Sequence, residues 1–208
     1  VHGGGKRATE MLPQLGIEPK MINGRRITDA ATLEVVTMVY AGLINKKIVS
    51  LLQSMDCQAI GLSGADLNSI QSHKRIVKDI DYGFAGDIDA VNTDAIRGLL
   101  DMNATPVFCA ITHDKKGQLL NTNADTIAAT LAAELAAHFS TTLMLCFEKN
   151  GVLSNPDDDD SVIRVINDMT YQSYKQSGII SAGMIPKMDN AFFALSKGVK
   201  NVQICGTA

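Results

Sequence analysis

The sequence predicts an α/β fold, a three-layer sandwich around a mostly parallel, open sheet. Short apolar runs such as residues 59–64 and 141–148 alternate with longer amphipathic stretches, for example residues 124–139. The longer stretches have the helical period, and parallel strands need crossover connections of that length. A chain of 208 residues can bury the core of one large domain or of two small lobes.

The first half of the chain is predicted to mix helices, strands and one hairpin. A helix follows the opening glycine run, with Ala8, Met11, Leu12 and Leu15 on one face. The next predicted elements are a helix capped at Thr28–Asp29 that runs to Met55, a strand at 59–64, a hairpin at 74–91 and a helix at 94–103 capped by Asn92 and Thr93.

The second half is predicted to continue the alternation of strands and helices. The predicted strands are 106–112, 141–148 and 202–205, residues 162–166 are predicted to be a strand or an extended segment, and the predicted helices are 124–139, 169–178 and 184–198. We place a lobe boundary after residue 140, which gives lobes at 1–140 and 141–208. Because no strand precedes the glycines and no helix follows the last strand, we expect the first strand and the C-terminal end of the fold to be missing.

Composition excludes several classes of protein. The net charge is −3 with no block of Lys or Arg, so a nucleic-acid partner is not predicted. No apolar run approaches the roughly 20 residues that span a bilayer and no signal peptide is evident, so no membrane is expected. The isolated cysteines Cys57, Cys109, Cys146 and Cys205 indicate reduced thiols in a cytoplasmic protein.

Five motifs lie where ligands gather in α/β folds. HGGG runs into a helix, whose N-terminal amides favour an anion. NGRRIT, GLSGAD, NTNAD and AGMIPK also lie at junctions between elements. Ligands of open α/β sheets bind outside the carboxyl ends of strands, so we expect these motifs to share one site.

The motifs leave a hydrolase alternative open. The esterase pattern is closely matched by HGGG followed by Gly61-Leu62-Ser63-Gly64-Ala65, in which Ser63 would be the nucleophile. The histidines that could complete a catalytic triad are poor candidates: His73, His113 and His138. Two nucleotide motifs are absent: Arg7 stands where a P-loop has Ser or Thr, and no G-x-G-x-x-G occurs.

Taken in order, HGGG, NGRRIT, GLSG, NTNAD and AGMIPK resemble the amino acid kinase family over essentially the whole chain. The resemblance is strongest to members that transfer the γ-phosphate of ATP to the side-chain carboxylate of an N-acylated glutamate, acetyl or succinyl, in arginine biosynthesis. It implies an ATP-binding enzyme with small-molecule substrates and an acyl phosphate product. Magnesium would be carried by the nucleotide, so no protein metal site is expected.

The resemblance also implies roles on the substrate side. The amides of Gly3 and Gly4 would hold the transferring phosphoryl group and the attacking carboxylate. Arg26 would pair with the substrate α-carboxylate, while Asn121 and Asn123 would hydrogen-bond its amino-acid part.

On the nucleotide side, the resemblance implies that Lys187 neutralises phosphate charge, and that Asp125 organises the active-site lysines and glycine amides. It also places Glu148, Gly151 and Met184 at the nucleotide. The structural alternatives are that Asn121 and Asn123 are turn residues and that Asp125 caps a helix. Four residues of the last helix, Met184, Met188, Phe192 and Phe193, are predicted to pack in the core or between the lobes.

Several departures from the family pattern leave a second function open. Members of the family begin with a strand and a K-x-G-G turn whose lysine is catalytic, and this turn is not in the given sequence. Phe147-Glu148 stands where many members have a Thr/Ser-Asp pair, and Ala65 stands where a lysine is expected. As given, the chain should therefore be a poor catalyst, and a non-catalytic sensor of the same family is the alternative. The sheet and the apolar helix at 32–55 predict a homodimer.

Overall fold

A computed structural model describes residues 1–22, 24–180 and 183–206 of the chain. Asn23 of NGRRIT and Ala182 of AGMIPK lie outside the described residues. The chain divides into two compact units, Val1–Ile127 and Ala128–Ala208. That division falls inside a helix, and the functional lobes at 1–140 and 141–208 stay a prediction.

The first unit opens with a short helix and a small hairpin. α1 covers Gly5–Met11 directly after the glycine run, as predicted. Ala8 and Leu12 of its predicted apolar face are fully buried, whereas Leu15 is exposed. β1 (Met21–Ile22) pairs antiparallel with β2 (Arg25–Arg26).

A long helical stretch follows, in which two α-helices flank a π-helical segment. α2 covers Ala30–Thr37 and begins at Asp29, whose carboxylate accepts a hydrogen bond from the Thr32 amide. The π-helical segment is Met38–Ile44, and α3 is Asn45–Gln53. π-helical turns inside α-helices are uncommon and are frequently found at functional sites.

This stretch corrects one expectation from the sequence. Ala30–Gln53 forms 24 helical residues, and an 18-residue window within it has a mean hydropathy of 1.5, which by length and composition alone is enough to cross a membrane. The expectation that no apolar run approaches that length is therefore wrong. Val36, Val39 and Tyr40 are buried in the first unit, so the stretch is a partly buried core helix.

The remaining elements of the first unit are mainly strands. They are β3 (Ala59–Leu62), β4 (Ile70–Lys74), β5 (Ala85–Val91), α4 (Thr93–Asp101), β6 (Thr105–Phe108), β7 (Ile111–His113), β8 (Leu119–Thr122) and the first residues of α5 (Ala124–Leu135). β3 pairs parallel with β6, and the ring β4-β5-β8-β7 closes on itself with two parallel and two antiparallel pairs. The predicted hairpin exists, but its first strand begins at Ile70, and the predicted strand at 106–112 divides at Cys109–Ala110.

The second unit contains one parallel strand pair and two further helices. β9 (Thr142–Phe147) pairs parallel with β10 (Asn201–Gly206) over six residues. α6 is Asp168–Gln176 and α7 is Met184–Ser196. Leu143 and Leu145 pack with Ala129, Ala191 and Ala194 in one core cluster.

Of the two predictions for residues 162–166, a strand or an extended segment, the strand is wrong. Only Val162 makes a β-bridge there, to Leu153. Ile163 and Ile166 instead pack against a second core cluster, Val152, Tyr171, Ile180 and Met188. The alternation of apolar residues thus reflects a loop that packs on a core.

Candidate active site

The glycine turn is anchored to a neighbouring strand and capped by the π-helical segment. The His2 amide donates to the Phe108 carbonyl at 2.9 Å, and Gly4 is the N-cap of α1. A Cβ built on Gly4 would lie 2.5 Å from Tyr40 Cδ1 and 2.7 Å from Ile44 Cδ1. Real Cβ atoms do not come that close, so only glycine fits against this part of the helix.

A buried hydrogen-bond network holds the same turn. His2 Nδ1 lies 2.7 Å from the Gly3 carbonyl oxygen and must be the donor, because a carbonyl only accepts. Burial lowers the pKa of His2, which favours the neutral ring with Nε2 as an acceptor. Asn45 Nδ2 donates to that Nε2 at 3.1 Å and to the Val107 carbonyl at 2.7 Å.

Asn45 is a residue that the sequence analysis missed. It is 1 % exposed, and a Cβ on Gly61 would overlap its Oδ1. The Asn45 amide thus connects α3 and the His2 ring to β6, which contains Val107. It acts on the glycine turn through His2.

Arg26 is buried beside the glycine turn. Only 8 % of the residue is exposed, and its Nη2 donates to the Gly5 carbonyl at 3.0 Å and to Thr9 Oγ1 at 2.7 Å. Its Nη1 is buried with no hydrogen-bond partner among the described residues. Burial raises the pKa of Tyr40, and the charge of Arg26 opposes that shift. A buried guanidinium with an unused donor is suited to an anionic ligand.

The polar cluster at the start of α5 is held by specific hydrogen bonds. Asn121 Nδ2 donates to Thr28 Oγ1 at 3.0 Å, which in turn donates to the Arg26 carbonyl at 3.2 Å. Asn123 Oδ1 accepts from the Thr126 amide at 2.9 Å. Asn123, and not Asp125, therefore caps α5, and Asp125 lies half-buried in its first turn.

These elements enclose a cavity of about 230 Å³ in the first unit. All five residues predicted to bind substrate line it: Gly3, Gly4, Arg26, Asn121 and Asn123. Arg25 lines it as well, and burial together with the nearby Arg75 lowers the pKa of Arg25. The cavity thus combines backbone amides, two guanidinium groups and two side-chain amides, which suits a small, anionic, amide-bearing ligand.

In the second unit, the predicted nucleotide residues lie near the end of β9. Lys187, in the first turn of α7, has its Nζ 5.7 Å from the centroid of the Phe147 ring. Glu148 follows Phe147 and is exposed. Gly151 is buried, and a Cβ there would lie 2.9 Å from Val162 Cγ1. This glycine is therefore required by packing, whatever it contributes to a ligand.

The predicted core methionines and aromatics of α7 differ in burial. Met184 packs against the cluster that contains Met188, which is 3 % exposed. Phe192 packs against the same cluster, stacked on Tyr171, whereas Phe193 is 40 % exposed. Phe193 is therefore not a core residue, and its packing between the lobes stays a prediction.

Within the described ranges, no group of three or more His, Cys, Asp or Glu side chains could hold a metal ion. The run Asp157–Asp160 forms an exposed turn, in which Asp159 pairs with Lys149 at 2.7 Å. That hydrogen bond raises the pKa of Lys149.

The hydrolase alternative gains no support from the surroundings of Ser63. Its Oγ donates to Asp66 Oδ2 at 2.8 Å, and Asp66 also accepts from the Ser63 amide at 2.6 Å. Of the three candidate histidines, His73 pairs with Asp89 at 2.6 Å. No hydrogen bond joins Ser63 to a histidine among the described residues, and Ser63 belongs to a turn closed by Asp66.

Comparison with known proteins places the whole chain in one family. The model of the amino acid kinase family matches residues 1–206. Acetylglutamate kinase from Parabacteroides distasonis is 55% identical over 98% of this chain and 80% of its own length. The enzyme of the same name from Cytophaga hutchinsonii is 55% identical over 99% of this chain and 78% of its own length.

A solved structure supports the same placement. A crystal structure from Streptococcus mutans UA159 superposes with a TM-score of 0.87 at 27% identity, covering 99% of this chain and 82% of that one. The predicted α/β fold class is confirmed. The HGGG turn, the buried arginine and the asparagine cluster lie around one cavity. Because the family model matches residues 1–206, the chain belongs to the amino acid kinase family.

Proposed function

We propose that this protein is an acetylglutamate kinase, which transfers the γ-phosphate of ATP to the side-chain carboxylate of N-acetyl-L-glutamate. Curated relatives more than 50% identical over nearly the whole chain carry that name. The observation that carries the proposal is the cavity of the first unit, which brings the buried Arg26 together with the glycine turn, Asn121 and Asn123.

We place the substrate between two anion sites. Arg26 receives the α-carboxylate, because its Nη2 is already bound to the protein and its Nη1 is not. Gly3 and Gly4 bind the side-chain carboxylate and the phosphoryl group that is being transferred. Their amides are fixed donors for charge that develops in the transition state. Asn121 and Asn123 bind the amide-bearing part of the substrate.

Phosphoryl transfer between two anions needs positioning and charge neutralisation more than proton transfer. The attacking carboxylate is ionised at neutral pH, so no general base is required. Lys187 neutralises the nucleotide phosphates, and Asp125 organises the cationic and amide donors. Glu148, Gly151 and Met184 contact the nucleotide, and magnesium arrives with ATP. The active unit is a homodimer in the cytoplasm.

The direct test is an assay of acyl phosphate formation by the full-length protein. With ATP, magnesium and hydroxylamine, we expect N-acetyl-L-glutamate to give an acyl hydroxamate and a matching amount of ADP. N-succinyl-L-glutamate, aspartate and carbamate are run in parallel, because the acyl group and the acceptor are the finer points of the proposal.

Two controls separate the alternatives. A Ser63→Ala variant should retain full activity, since Ser63 belongs to a turn and not to the cavity. Calorimetry that detects acylglutamate binding without any product from any acylglutamate would replace the kinase with the sensor function.

A further inference from the structure

Two cysteines face each other across the parallel strand pair of the second unit. The register of β9 and β10 places Cys146 opposite Cys205, and their sulfur atoms lie 3.7 Å apart. Leu143 and Leu145 point into the core from the other face of β9, because side chains alternate along a strand. Cys146 is exposed and Cys205 is half-buried, so both thiols lie on the open face of the sheet.

The backbone spacing permits a bond between these two sulfurs. Neighbouring strands lie about 4.7–4.9 Å apart, and disulfides join Cα atoms about 4.4–6.8 Å apart. The present contact is a thiol–thiol hydrogen bond of 3.7 Å, and a disulfide would shorten the sulfur–sulfur distance to about 2.0 Å.

The other two cysteines lack these properties. Cys109 is fully buried, and burial raises its pKa to about 11, so little thiolate forms near neutral pH. Cys57 is half-buried and its sulfur contacts Thr105 Oγ1 at 3.4 Å. Neither has a second thiol beside it.

We propose that Cys146 and Cys205 form a dithiol site that closes reversibly to a disulfide by exchange with a low-molecular-weight disulfide. The Cys146 thiolate attacks one sulfur of the reagent, the reagent's S–S bond breaks, and one thiol leaves. Cys205 then loses its proton and attacks the mixed disulfide at Cys146, so a second thiol leaves. Two protein thiols are oxidised by two electrons, and one disulfide is reduced to two thiols.

The sulfur–sulfur contact and the difference in exposure distinguish the two cysteines. The hydrogen bond with Cys146 raises the pKa of Cys205, which disfavours its thiolate. Cys146 is the more exposed sulfur and is the one that the reagent reaches first. The cross-link would join the strand ends next to Phe147, whose ring lies beside Lys187.

The test treats the reduced full-length protein with oxidised glutathione and maps the cysteines by peptide mass spectrometry. We expect a mass loss of about 2 Da for the two hydrogens removed, with peptides containing residues 146 and 205 linked. Dithiothreitol should reverse the change. A Cys57→Ser variant is the matched control and should cross-link like the unchanged protein.

The single variants separate the two steps. Cys205→Ser should accumulate glutathione on Cys146, and Cys146→Ser should form no cross-link. Thermal melting of each variant tests whether it is folded. The proposal is overturned if the unchanged protein carries glutathione on Cys146 without resolution, links different chains instead, or is modified at Cys57 alone.

Discussion

Replacing Arg26 with lysine is expected to raise the KM for N-acetyl-L-glutamate roughly 10- to 100-fold, with a smaller effect on the KM for ATP. Hydrogen bonds to charged groups contribute about 1.5–3 kcal/mol, and each 1.4 kcal/mol corresponds to about tenfold in affinity. Arg26 binds the Gly5 carbonyl and Thr9 with Nη2, while its Nη1 is buried with no hydrogen-bond partner among the described residues. A lysine ammonium lacks the planar fork of donors of a guanidinium, so it cannot bind the protein acceptors and the ligand carboxylate in the same way.

The matched control for Arg26 is Thr9→Val. This change removes one protein partner of Nη2 and leaves Nη1 unaltered. We expect only a few-fold change in KM, in line with the loss of one part-buried hydrogen bond outside the ligand contact. A KM for the acylglutamate in Arg26→Lys that equals the unchanged enzyme's would remove Arg26 from the substrate site. Equal losses in both variants would make its role structural.

Replacing Gly4 with alanine is expected to lower kcat about 100-fold and to cost about 1–3 kcal/mol of stability. The added methyl group would lie 2.5 Å from Tyr40 Cδ1, so the turn or the π-helical segment must move. Overpacking a close contact has that stability cost, and a shift of about 1 Å at a reacting group lowers rates about 100-fold. Steady-state kinetics and denaturant unfolding measure the two effects.

Gly5→Ala provides the comparison for Gly4. Its new methyl group would meet nothing closer than Tyr40 Oη at 3.9 Å, and alanine favours the first turn of α1. We expect nearly unchanged kcat and equal or slightly higher stability. If Gly4→Ala kept the same kcat as Gly5→Ala, the geometry of the glycine turn would not limit catalysis.

Much of the fold could be predicted from the sequence, because helix caps and short apolar runs are recognisable from neighbouring residues alone. Asp29 and Asn92 cap their helices through side-chain hydrogen bonds, as the sequence predicts. β3, β9 and β10 lie where short apolar runs predict strands. The strand predicted at 162–166 failed because alternation also arises when a loop packs Ile163 and Ile166 onto a core.

Asn45 could not be found from the sequence because its burial depends on a π-helical turn. It follows the buried Tyr40 by five residues, and in a regular α-helix that spacing leaves the buried face. The wider turn over Met38–Ile44 brings both side chains to the same face. Asn123 was assigned to the substrate by resemblance alone, and its function as the cap of α5 was recognisable only from the hydrogen bond to Thr126.

The most direct test of the two-anion cavity is an NMR titration of the ¹⁵N-labelled protein with N-acetyl-L-glutamate and with N-acetyl-L-glutamine. The two ligands share the α-carboxylate, but only the first has a side-chain carboxylate. We predict that both shift the Arg26 guanidinium signals, and that only N-acetyl-L-glutamate strongly shifts the Gly3 and Gly4 amides. Glycine and Arg26 signals that stay in place at saturating N-acetyl-L-glutamate would contradict the account.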